Sequence, residues 1–168
     1  GLKDIQANMW KELEMKKIYF GHQSVGENII AGLNDIMKEN QSIRLRIVET
    51  DKPAEFTSGI FAHSSIGKNE NPLFKIEDFQ AKMNVGLGGK CNVAFFKFCF
   101  VDIDNKTDVK TLFEKYRLVM SELSRKYPDV VFIHCTVPLL KKQQETIKGW
   151  VKGLMGKDTG FFDNSHNV

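Results

Sequence analysis

The sequence predicts an α/β domain in which a parallel sheet carries helices on both faces. Three observations point there. A short apolar run closed by glycine passes at once into helical periodicity in "KKIYFGHQSVGENII". Two further apolar runs, "NVAFFKFCFVDI" and "DVVFIHCTVPL", are nearly continuous, as strands covered on both faces are. The segment between them repeats its apolar residues with a helical period. Strands that alternate with helices need crossover connections, and these make the sheet parallel.

Taken in order, "KKIYFG" is the first strand, ended by Gly21. Val25, Ile29, Ile30, Leu33, Ile36 and Met37 then recur at helical spacing and predict a helix over 25–38. "IRLRIVE", residues 43–49, alternates apolar and polar positions and predicts the second strand. Residues 50–71 read as a long loop, too long for a passive connection in a compact domain. Leu73, Phe74, Ile76 and Phe79 in "NPLFKIEDFQAKM" predict a short helix, and "NVAFFKFCFVDI" is the third strand. Val109, Leu112, Phe113, Tyr116, Val119 and Leu123 make the strongest helical pattern in the chain, with Thr107 as its cap and Pro128 beyond its end. "DVVFIHCTVPL" is a fourth strand of similar burial, and a helix around 146–155 precedes a polar end. There is no internal repeat, low-complexity segment or linker.

With 168 residues, 42% of them hydrophobic, the chain has enough apolar material for one core, and the expectation is a single domain over 1–168. Lysine and arginine exceed the acidic residues by three, 24 against 21. The only local excess is Lys141, Lys142, Lys148, Lys152 and Lys157, a solvated face rather than a nucleic-acid site. No apolar run approaches the roughly 18 to 20 residues of a membrane span. The opening Gly1-Leu2-Lys3 without a methionine reads as a tag remnant on a trimmed start, and the expectation is an exported protein. Cys91, Cys99 and Cys135 are odd in number, form no CxxC pair and lie in or beside apolar runs, which predicts buried thiols instead of a disulfide framework or zinc ribbon. His22, His63, His134 and His166 show no HxxxH or HxH spacing, so neither a metal nor another cofactor is expected.

Ligands of parallel sheets bind outside the carboxyl ends of the strands. The residues to inspect are therefore 22–24, 63–69, 97–104 and 136–138. Ser24 stands where strand gives way to helix, so its hydroxyl is either a nucleophile at the sheet edge or simply the helix N-cap. Gly21 and Gly26 allow a sharp turn around it. The loop "FAHSSIGKNENP" brings His63, Ser64, Ser65, Gly67, Lys68 and Asn69, either as a polar surface loop or as a wall of the same cleft. Lys97 lies inside an apolar run and needs a charged partner if enclosed, for which Asp102 and Asp104 are nearest. Asp163 and His166, three apart in "FFDNSHNV", can meet in one turn as the orienter and base that a serine nucleophile requires.

This order of features resembles the SGNH or GDSL-type hydrolases, serine esterases and acetylesterases on a flavodoxin-like three-layer sheet. In that family the nucleophilic serine follows the first strand in a Gly-Asp-Ser block. A glycine after the second strand and an asparagine after the third donate to the oxyanion, and a DxxH motif near the C-terminus supplies the base. "YFGHQSVG" looks like the first block, with Ser24 at the nucleophile, and its "HQS" is similar to the Gly-Gln-Ser form of sialate-type acetylesterases. Gly67 in "HSSIGKN" matches the second block's glycine, and Asp163 with His166 matches DxxH by spacing. The likeness covers nearly the whole chain. It departs at the first block's aspartate, replaced by His22-Gln23, and at the GxND block, where "CFVD" stands instead and Asn69 is the substitute donor. Fewer than thirty residues separate Pro138 from His166, where the family fits another strand and a closing helix. Either the core is lean or the chain is cut short before its base.

The resemblance implies a serine hydrolase that cleaves esters of small molecules or carbohydrates, with acyl or acetyl groups on carbohydrate as the suggested class. Ser24 would attack, His166 act as base oriented by Asp163, and Gly67 and Asn69 hold the oxyanion. His22, His63, Lys97 and Asp102 would line the substrate site. The rival expectation is a non-catalytic carbohydrate- or ligand-binding module on the same scaffold. A flavodoxin-like nucleotide binder is disfavoured because no glycine-rich phosphate loop follows the first strand.

Overall fold

The structure, a computed structural model, describes residues 4–138. Its elements in chain order are α1 (Ala7–Leu13), β1 (Lys17–His22), α2 (Val25–Glu39), β2 (Arg46–Glu49), β3 (Ile60–Ser65), α3 (Pro72–Asn84), β4 (Val93–Phe96), α4 (Val109–Lys126) and β5 (Val131–His134). The described strands form one sheet in the order β2-β3-β1-β4-β5, and every pairing is parallel. The architecture is a three-layer α/β fold of flavodoxin-like type.

Alternation along each strand divides the core in two, since successive side chains leave a strand on opposite faces. Tyr19, Ile60, Ala62, Ala94 and Phe96 meet Ile76, Phe79 and Met83 of α3 and Leu112, Val119 and Leu123 of α4. On the opposite face Ile18, Phe20 and Phe61 meet Ile30 of α2, with Trp10 and Leu13 of α1 packed against them. The centre of the first cluster is aromatic: the Phe79 ring lies 4.8 Å from that of Phe96 and 6.1 Å from that of Tyr19.

Several elements differ from expectation, each for a local reason. Residues 50–71 are not all loop, for they contain β3, an inner strand between β2 and β1. Its apolar stretch is only Ile60-Phe61-Ala62, and the polar residues that follow occupy the strand's end at the sheet edge. The run from Asn92 is a strand only over Val93–Phe96, after which a 3₁₀ turn, Phe100–Asp102, turns the chain because the Asp102 carboxylate accepts the Cys99 N–H at 2.6 Å. The N-cap of α4 is Asp108, which accepts from the Thr111 N–H; Thr107 instead hydrogen-bonds to Asp104. On α3 the buried residues are Lys75, Ile76, Phe79 and Met83, while Leu73 and Phe74 are exposed. β5 is covered on one side: Phe132 packs into the core, whereas Val131 and Ile133 are exposed. Cys91 and Cys99 are buried free thiols and Cys135 is half-buried. Among the described residues no helix is long and apolar enough to cross a membrane.

Candidate functional site at the β1 and β3 ends

Sheet order places β1 at the centre, with β3 on one side and β4 on the other; the chain leaves β1 toward the β2 edge and leaves β4 toward the β5 edge, so the connections of these two neighbours run in opposite directions. Such a switch point opens a crevice at the strands' carboxyl ends. In the β1–β3 register Phe20 stands opposite His63 and His22 opposite Ser65. By alternation His22 and His63 both take the face toward α2, beyond Phe20 and Phe61.

His22 is almost fully enclosed. A Cβ on Gly26, the second residue of α2, would fall 2.1 Å from the His22 ring carbon Cγ, so glycine is what lets the helix start pass over the imidazole. His22 Nδ1 lies 3.1 Å from the Gln23 carbonyl oxygen, and Nε2 lies 3.0 Å from Nδ1 of His63. A carbonyl only accepts, so Nδ1 of His22 carries the proton. In the neutral ring Nε2 then accepts from the Nδ1–H of His63. Glu27, exposed on the first turn of α2, brings a carboxylate oxygen to 3.7 Å from the same Nε2. Burial holds the His63 imidazole below the usual histidine pKa, and the neighbouring His22 acts in the same direction.

Ser24 is the N-cap of α2 and is exposed, yet its side chain makes no capping hydrogen bond. The backbone closes the first turn by itself, with Gly26 N–H to the Gln23 carbonyl at 2.6 Å and Glu27 N–H to the Ser24 carbonyl at 3.0 Å. Gln23, beside it, donates from Nε2 to the carbonyls of Ile66 at 2.9 Å and Gly67 at 3.1 Å, and the Ile66 N–H donates to the His22 carbonyl. The loop after β3 is thereby tied to the turn that carries Ser24.

That loop rests on a buried charged network. Gly67 has φ 51° and its Cβ position lies 2.7 Å from Lys75 backbone, so both conformation and space call for glycine. Its N–H donates to Asp78 Oδ2 at 2.7 Å and is therefore engaged within the fold. Lys75 Nζ, fully buried, donates to Asn69 Oδ1 at 2.9 Å and to Asp102 Oδ2 at 2.6 Å. This contact points the Asn69 carbonyl inward and leaves its Nδ2 as the free donor side of the amide. The other Asp102 oxygen accepts the N–H of Glu70, whose φ of 64° is the single positive value among the described non-glycine residues. A non-glycine residue persists there because the surrounding bonds over-determine it.

Asp102, expected to line the substrate site or to pair with Lys97, is instead consumed by Lys75, Cys99 N–H and Glu70 N–H. Lys97 is buried, and its Nζ faces the Phe98 carbonyl at 3.3 Å and Cys99 Sγ at 3.6 Å. Ser64 leaves the opposite face from His63 and bonds to the Tyr19 hydroxyl at 2.8 Å. The structure thus brings His22 and His63 together and ties the Gly67 carbonyl through Gln23 to the turn that carries Ser24, while Asn69 is held by Lys75. It sets Lys97 and Asp102 inside the scaffold beneath them. Asp163, His166 and the expected helix around 146–155 lie outside the described residues.

Sequence reading had no place for Glu27, Lys75 and Asp78. Lys75 was legible in principle, since it lies four positions before Phe79 on the buried face of α3. Comparison of the chain with family models, with curated proteins and with solved structures finds no match.

Proposed function

We propose that the chain is a serine hydrolase that cleaves esters, acyl or acetyl groups on carbohydrate being the favoured class, with Ser24 as its nucleophile. One observation carries this reading: the Ser24 hydroxyl is exposed at the carboxyl end of the central strand and is not spent as a helix cap. A serine that only started the helix would bond to the N–H two or three residues on. The N-terminal N–H groups of α2 favour negative charge developing beside it. His166, oriented by Asp163, is the base this reading assigns by motif spacing. The Ser24 N–H and the Asn69 Nδ2 are the preferred oxyanion donors, because the Gly67 N–H has first to leave Asp78.

The test is labelling by a fluorophosphonate probe, with the modified residue located by mass spectrometry, alongside turnover of short-chain nitrophenyl esters. Label on Ser24, and turnover lost on Ser24→Ala, are expected. An unlabelled, inactive wild type would reject the hydrolase in favour of the second reading, a non-catalytic binding module. The observation favouring that alternative is the Gly67 N–H already satisfied by Asp78.

A further inference from the structure

We propose that His22, Glu27 and His63 form a binding site for one divalent transition-metal cation, with Zn²⁺ as the representative ion and one coordination position open to water or ligand. The proposal does not depend on Ser24 being a nucleophile.

The donor atoms converge from three different elements. His22 ends β1, His63 lies in β3 on the same face, and Glu27 is in the first turn of α2. One ligand atom from each lies within 4.8 Å of the others. The closest pair, His22 Nε2 and His63 Nδ1, is 3.0 Å apart, and the Glu27 oxygen is 3.7 Å from His22 Nε2. A cation bound about 2.0 to 2.1 Å from each ligand holds neighbouring ligand atoms roughly 3.0 to 3.7 Å apart over the usual spread of tetrahedral angles. Two of the three separations therefore already match a shared ion, and the third, within 4.8 Å, is closed by a movement of the exposed Glu27 side chain.

Protonation favours the same conclusion. The Gln23 carbonyl holds the proton on Nδ1 of His22, which commits the Nε2 lone pair to the cluster. A ligating histidine commonly has its other nitrogen bonded to a backbone carbonyl in this way. Without a cation, that lone pair and the Glu27 carboxylate confront each other across the single proton of His63 Nδ1. With one, His63 carries its proton on Nε2 instead, and three lone pairs face one positive centre. The start of α2 opposes a cation with roughly half a positive charge, but the full negative charge of Glu27 on that same turn exceeds it. Two imidazoles and one carboxylate suit a borderline cation such as Zn²⁺ better than Mg²⁺ or Ca²⁺, which prefer all-oxygen sites. Gly26 completes the arrangement, since any side chain there would drive His22 out of line.

The experiment uses the full chain, freed of any affinity tag, stripped with chelator and titrated calorimetrically with ZnCl₂. Co²⁺ is added in parallel to read the ligand-field bands of a four-coordinate site. The expected result is one cation per chain, weakened at least about 100-fold by His63→Gln and about 10-fold by Glu27→Gln, and unchanged by His134→Gln or Ser24→Ala. Glu27 is exposed, so its variant tests the site without disturbing the core. If His63→Gln does not fold, imidazole nitrogen chemical shifts of the wild type decide: those of His22 and His63 should move on Zn²⁺ addition while those of His134 stay. Absence of saturable binding, equal affinity in Glu27→Gln and wild type, or shifts confined to His134 would overturn the proposal. Because Ser24→Ala should still bind the cation, failure of this site and failure of the hydrolase reading are separate outcomes.

Discussion

The Lys75 ammonium and the Asp102 carboxylate meet at 2.6 Å with both side chains fully withdrawn from solvent, joining α3 to the turn after β4 beneath the candidate site. Removing one partner strands a buried charge, which costs about 3 to 5 kcal/mol. Lys75→Met should therefore lower unfolding free energy by that amount in urea titrations. It should also loosen residues 69 and 70, seen as faster amide exchange at Glu70, whose N–H bonds to Asp102.

The two helix caps predict opposite outcomes. Asp108 accepts from the Thr111 N–H, so Asp108→Ala should lower the midpoint of thermal unfolding. Ser24 caps nothing, so Ser24→Ala should leave stability within about 0.5 kcal/mol while removing roughly 10⁴-fold or more of ester turnover. A loss of stability without loss of turnover would return Ser24 to the role of a cap.

Gly26→Ala sets two effects against each other. Alanine favours a helix over glycine by about 1 kcal/mol, whereas the added carbon would sit 2.1 Å from the His22 ring. Forcing that ring aside costs about 1 to 3 kcal/mol. The expected result is net destabilisation in thermal melts, together with a changed His22 imidazole signal.

Burial pushes the Cys91 thiol up to about 11 from 9.0. Alkylation requires the thiolate, so at pH 8 iodoacetamide should modify Cys91 at least about 100-fold more slowly in the folded protein than in urea. The linked stability has a definite sign. Folded protein keeps the Cys91 proton that unfolded chain loses above about pH 9, so this contribution is complete below pH 9 and disappears as pH rises through 11. Chemical denaturation at pH 8 and pH 10.5, compared with Cys91→Ala, measures it.

Local pattern was sufficient for much of the fold. The period of the apolar residues placed α2, α3 and α4, and the apolar runs "KKIYFG", "NVAFFKFCFVDI" and "DVVFIHCTVPL" located β1, β4 and β5, the last two running past the ends of their strands. Such signals survive in sequence because each reports which side of one element faces the core. β3 was hidden because half of it is polar, and its polar half is where His63 and Ser64 reach the sheet edge. Ser24 was conspicuous as the residue between a strand and a helix, but whether its hydroxyl caps that helix depends on backbone geometry that no spacing encodes. His22 and His63 are 41 positions apart and show no ligand spacing, yet parallel pairing of β1 with β3 sets them 3.0 Å from each other. Likewise Lys75 takes Asp102 from Lys97, a nearer neighbour in sequence, because α3 packs its buried face under the loop after β3. Sequence alone determined most of the segments that bury one face, though not where each of them ends. Tertiary structure decided which polar side chains share a site, because partners across a sheet are chosen by strand order and register, to which local periodicity is blind.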